Sequence, residues 1–60
     1  MTVRAMRVNV NMTQKQVAEK LGLTPLTYRK KEQGKVEFKF SELLVLCELF
    51  KVDLNDFRNL

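Results

Sequence analysis

The chain has 60 residues and a net charge of +4, from eleven Lys plus Arg against seven Asp plus Glu, with no His, no Trp and one Cys. A chain this short makes one domain that buries only about 60% of the surface its unfolded form exposes, which excludes deep multi-layer folds. A single Cys forbids an internal disulfide, and without His or a second Cys there is no zinc site of the usual ligand set, so packing alone must hold the fold.

A short first helix is predicted over about 2–9. The segment from Met1 to Arg7 lacks the continuous apolar core of a signal peptide, and no window approaches the ~18 apolar residues of a membrane span, so an intracellular protein with no membrane partner is expected. The next helix, over about 14–21, has the clearest start. Thr13 is a polar N-cap flanked by Met12 and Val17, the pair that forms a hydrophobic staple, and Gln16 completes a capping box. Gly22 is placed to end that helix. A third helix follows at about 25–33, capped by Thr24 between Leu23 and Tyr28, with Pro25 at the first helical position, where its missing N–H costs nothing, and Gly34 at the end.

From Val36 to Phe40 the residues alternate with period two, but no second alternating run exists to pair with them. A basic, aromatic connecting loop is expected there. Ser41, with Phe40 before it and Val45 four residues on, predicts a fourth helix at about 42–50. Cys47 shares an apolar face with Leu43, Leu46 and Phe50 and reads as a core residue. Leu44, Val45 and Leu49 make the same helix apolar nearly all round, which suits a central helix wrapped by the others. Asp53, between Val52 and Phe57, predicts a last helix at about 54–58. The expectation is an all-α single domain over residues 1–60.

The segment Thr13–Gly34 carries the functional reading. Two helices joined by a tight break at Gly22-Leu23 have helix-turn-helix geometry, in which the second helix projects outward and can enter the ~12 Å major groove. Ala18, small and mid-helix, lets the two axes approach. At 100° per residue with Tyr28 inward, Pro25, Lys31 and Glu32 lie within about 60° of it, while Leu26, Thr27, Arg29, Lys30 and Gln33 cover the opposite arc. Two cations, an amide, a hydroxyl and an aliphatic group on one arc suit base edges. The charge distribution agrees: residues 1–39 hold nine basic and three acidic groups, residues 40–60 two basic and four acidic.

The run from Thr13 to Thr24, Thr-Gln-Lys-Gln-Val-Ala-Glu-Lys-Leu-Gly-Leu-Thr, followed by Tyr28, Lys30, Glu32, Gly34 and Lys35, resembles the helix-turn-helix domains of the phage repressor and Cro family. The resemblance covers nearly the whole chain. It implies a compact five-helix, lambda-repressor-like fold with the helix-turn-helix at 13–33, and a cytoplasmic, nucleoid-associated regulator in a bacterial or phage-infected cell. It further implies that Gln14 meets a phosphate, that the start of the third helix, with Thr24, Pro25, Leu26, Thr27, Arg29 and Lys30, faces the DNA bases, and that Lys35 and Lys39 follow the backbone. Arg7 and Glu32 hold the positions of a family salt bridge. Lys31 stands where the family usually has a large apolar residue; its stem is expected to pack while its ammonium reaches solvent.

A homodimer through the C-terminal region is a further expectation, with Leu49, Leu54, Phe57 and Leu60 as the candidate surface. The partner is therefore double-stranded DNA, with no cofactor, metal or small-molecule ligand implied. The alternative is a protein-interaction module, antirepressor or antitoxin-like, that keeps the fold without DNA binding; Pro25 and Leu26 at reading positions favour it. With no His, no reactive Cys setting, no phosphate loop and no carboxylate pair, an enzyme is the least supported class, and no catalytic residue is assigned.

Overall fold

The computed structural model describes residues 1–57, and its first helix starts where the Thr2 hydroxyl accepts the Ala5 N–H at 3.1 Å. Four α-helices follow one another: α1 Val3–Asn9, α2 Gln14–Leu21, α3 Pro25–Glu32 and α4 Phe40–Phe50. The expected fifth helix is a single 3-10 turn, Leu54–Asp56. Asp53 caps this turn by accepting the Leu54 N–H at 2.9 Å, but Phe57 turns to an extended conformation and ends it after three residues. Arg58, the last residue assigned to that helix, and Leu60, in the candidate dimer surface, lie outside the described residues.

The caps explain the boundaries. Thr13 and Gln16 form the full reciprocal capping box, at 3.1 and 2.8 Å, and Thr24 accepts the Thr27 N–H at 3.2 Å with Pro25 at the first helical position. The start of α4 differs from expectation. Ser41 lies inside the helix, and Lys39 is the N-cap, because the Glu42 carboxylate three residues on accepts the Lys39 N–H at 2.8 Å. A lysine side chain has no acceptor to return the bond, so this is half a capping box.

All four helices end on a residue in the left-handed region: Asn11, Gly22, Gly34 and Lys51. In each case the next N–H bonds back to the carbonyl five residues earlier, as Leu23 does to Ala18 and Lys35 to Lys30, both at 2.9 Å. This is the 6→1 bond of a Schellman ending, which satisfies carbonyls the helix would otherwise leave free. Gly22 and Gly34 adopt that conformation without a Cβ penalty.

Val3 and Met6 of α1, Val17 and Ala18 of α2, Tyr28 of α3, and Leu46 and Phe50 of α4 form the buried core. Each large side chain buried there contributes roughly 1.5–3 kcal/mol. Cys47, expected in the core, is only half-buried and is not among the core residues; burial raises its thiol pKa above the ordinary value, with Asp53 and Asp56 adding to the effect. The loop from Val36 to Lys39 contains no strand; it packs Phe38 against Tyr28, ring centroids 6.1 Å apart. Tyr28 is the single apolar core residue that α3 supplies. Other contacts must therefore fix that helix in place.

Candidate nucleic-acid interface

The outward and inward faces of α3 differ in kind. Pro25, Leu26, Thr27, Arg29 and Lys30 are all exposed, and Thr24, just before them, donates its hydroxyl hydrogen to Thr27 at 2.9 Å. Pro25 falls inward on an ideal wheel but is exposed. Lys31 and Glu32 are turned inward with Tyr28, and both are held by ion pairs.

Glu32 is the centre of a network joining three helices. Its side chain is 4% exposed, and its carboxylate accepts Arg7 Nε at 2.9 Å and the second Arg7 nitrogen, Nη2, at 3.2 Å, a bidentate pair. The Tyr28 hydroxyl donates to the same carboxylate, and so does Gln14 Nε2, at 3.1 Å. The remaining Arg7 nitrogen donates to the Met12 carbonyl at 2.9 Å, which ties the α1–α2 connection to the same guanidinium. Burial alone would raise the Glu32 pKa, but the donors outweigh it and hold the carboxyl below the usual carboxylate range. The hydrogen bond to Glu32 in turn raises the Arg7 pKa. For Tyr28 the first cause is burial, reinforced by the adjacent carboxylate; both push the phenol pKa up.

Gln14 is thus half-buried and aimed at Glu32, with its backbone at the first position of α2. The network spends one of its amide donors inside the protein. Lys35 and Lys39 are exposed in the loop after α3, while Leu49, Leu54 and Phe57 are half-buried. The apolar residues that α4 leaves most open are instead Phe40 and Leu44, 64% and 45% exposed.

Two features were missed from the sequence. Arg4 and Lys15 are exposed cations lining one open groove with Arg7, Thr13 and Gln14, where α1 meets the start of α2. Their signal was local: Arg4 lies one turn before Arg7, and Lys15 follows Gln14. The second feature corrects the expectation for Lys31. Its ammonium does not reach solvent but donates to Glu42 Oε1 at 2.6 Å, with side-chain exposures of 6% and 9%. An ammonium that finds a carboxylate within reach of its packed stem loses less by burial than one left unpaired.

A family model described as helix-turn-helix matches residues 3–57. No curated protein and no solved structure matches the chain.

Proposed function

The chain belongs to the Cro/CI-type helix-turn-helix family of DNA-binding regulatory domains, and from that membership we propose that it recognises specific sites in duplex DNA as a small transcriptional repressor, with α3 in the major groove. The observation that carries this reading is the division of α3 into a face with every polar group paired inward and a face with Arg29, Lys30, Thr27 and Leu26 free to solvent. Arg29 and Lys30 suit guanine edges, and Leu26 suits a thymine methyl. Gln14, Lys35 and Lys39, joined by Arg4 and Lys15, hold the phosphates on either side. Bound to an operator, the protein excludes polymerase sterically.

Paired half-sites ~34 Å apart require two copies. The second copy would pack at the C-terminal end, where Leu49, Leu54 and Phe57 are half-buried; Leu60, the fourth residue expected there, lies outside the described residues. Sedimentation at micromolar concentration tests this, and a strictly monomeric protein on and off DNA overturns the dimer.

Binding-site selection from a random duplex pool tests the main reading. Affinity for random duplex should fall with salt at a log–log slope of about −0.9 per phosphate contact. Arg29→Ala should cost ~1–3 kcal/mol on the selected site and far less on random duplex. Exposure of Pro25 and of Leu26, the latter 52% exposed, favours the second reading, a protein-interaction module. No salt dependence and no effect of Arg29→Ala would overturn the DNA reading and leave the second one standing.

A further inference from the structure

Lys31 and Glu42 lie eleven residues apart on α3 and α4, and their ion pair has two properties that a stability role does not require. It is nearly solvent-free, at side-chain exposures of 6% and 9%. A pair so buried pays a desolvation cost that its attraction repays only in part, and apolar residues of similar volume commonly serve stability as well or better. What such residues lack is direction, since an apolar contact tolerates sliding and rotation that a 2.6 Å N–H···O bond does not. The pair is also tied at its far end, because the Glu42 oxygen that accepts the Lys31 ammonium's N–H also accepts the Lys39 N–H at 2.8 Å. The α3 side chain is therefore referenced to the first turn of α4 and not to a mobile rotamer. Glu42 keeps its charge: burial would raise its pKa, but the Lys31 and Lys39 donors pull it below the ordinary value.

Position along α3 gives the pair its consequence. Lys31 is next to Glu32 in sequence, so two adjacent residues at the C-terminal end of the helix are pulled to different neighbours, Glu32 to α1 and α2 and Lys31 to α4. Two anchors about 100° apart around one helix end, one on each flank of the buried Tyr28, resist rotation of the helix about its own axis in both directions; with one of them gone, Tyr28 and the other leave it freer to turn. Rotation is the coordinate that decides which of Thr27, Arg29 and Lys30 faces a base edge. We propose that Lys31 and Glu42 are positioning residues for sequence recognition, setting the rotation of α3 in the groove without touching DNA. This rests on the DNA-binding reading above.

The test uses the full chain, the duplex selected by the wild-type protein, and a random-sequence duplex of equal length. Lys31→Met with Glu42→Gln removes both charges and keeps an acceptor for the Lys39 N–H. Lys31→Met with Glu42→Leu is the second variant, should the first not fold. A folded variant should bind random duplex within about twofold of wild type with an unchanged salt slope, since the phosphate contacts remain. On the selected site it should lose at least about tenfold, the range of one misplaced base contact. A folded variant that keeps the wild-type ratio of selected to random affinity overturns the inference, as does failure of both variants to fold, which would make the pair structural. A wild-type protein that selects no site overturns the DNA-binding reading itself and this inference with it.

Discussion

The two sides of α3 are held by different kinds of contact. Toward α1 and α2, one carboxylate, Glu32, collects donors from Arg7, Gln14 and Tyr28, and Arg7 also reaches the Met12 carbonyl. Toward α4 a single, more isolated pair, Lys31–Glu42, shares its carboxylate only with one backbone N–H. The same residue chemistry serves two ends. Replacing Arg7 and Glu32 together by apolar groups would strand the Tyr28 hydroxyl, the Gln14 amide and a backbone carbonyl, so the network cannot be exchanged for packing. Lys31 and Glu42 could be exchanged for apolar packing at little cost, so what the pair adds on that side over an apolar contact is direction.

Acid breaks both sides at once and should have the largest effect. Glu32 and Glu42 both titrate below the ordinary value of 4.5, so the unfolded chain takes up protons first as pH falls. Their contribution is complete above that value and is lost as pH drops through the lower, folded values. Urea denaturation midpoints measured across pH should therefore be flat from neutrality to mildly acid conditions and fall steeply below about pH 4.5. A midpoint that stays flat into strong acid would mean neither pair stabilises the fold. On the alkaline side the raised Tyr28 value has the opposite sign: its contribution is complete below the ordinary value of 10.0 and lost as pH rises beyond it.

Glu32→Ala attacks one side only. It leaves a partly buried guanidinium, a buried phenol hydroxyl and an amide without their acceptor, and should cost about 3–5 kcal/mol, a large share of the roughly 5 kcal/mol expected at the lower end of the range for small domains. Circular dichroism in a urea titration measures it. Tyr28→Phe is the milder version. It removes one donor to an ionised group while keeping the ring in the core, and should cost about 1.5–3 kcal/mol. If the two substitutions cost the same, the tyrosine hydroxyl rather than the Arg7 pair dominates the network.

Most of this architecture is legible from local chemistry, and the rest turns on choices local chemistry leaves open. Thr13 with Gln16, Thr24 with Pro25, and Gly22 and Gly34 mark α2 and α3 because each satisfies backbone groups within a few residues. Ser41 misled: a good cap with a staple on both sides lost to Lys39, whose N–H is taken by a glutamate that is itself held across the fold by Lys31. The wheel placed Lys31 inward. The rule that lysine stems pack while their heads reach water then pointed the wrong way, because the partner is on another helix and its reach depends on packing. Helix α4, apolar nearly all round, gave no sequence-level way to choose its exposed face. The structure leaves Phe40 and Leu44 there and turns Leu46 and Phe50 in.

The smallest predicted effect lies on the less tightly networked side. Three of the four helix endings use residues suited to a left-handed backbone, Gly22, Gly34 and Asn11, whose short amide tolerates it; the fourth, at the end of α4, puts Lys51 there at φ 59°. A lysine Cβ in that conformation crowds the following carbonyl at roughly 1–2 kcal/mol. Glycine removes that crowding but returns about half of it as extra freedom in the unfolded chain. Lys51 is exposed and outside both ion pairs, so little else changes. Lys51→Gly should therefore stabilise by about 0.5–1 kcal/mol, a rise in Tm of about 4–8 °C for a domain of this size, while Asn11→Gly should gain less. A loss on Lys51→Gly would show that the Lys51 stem covers apolar surface of α4 worth more than the strain it carries.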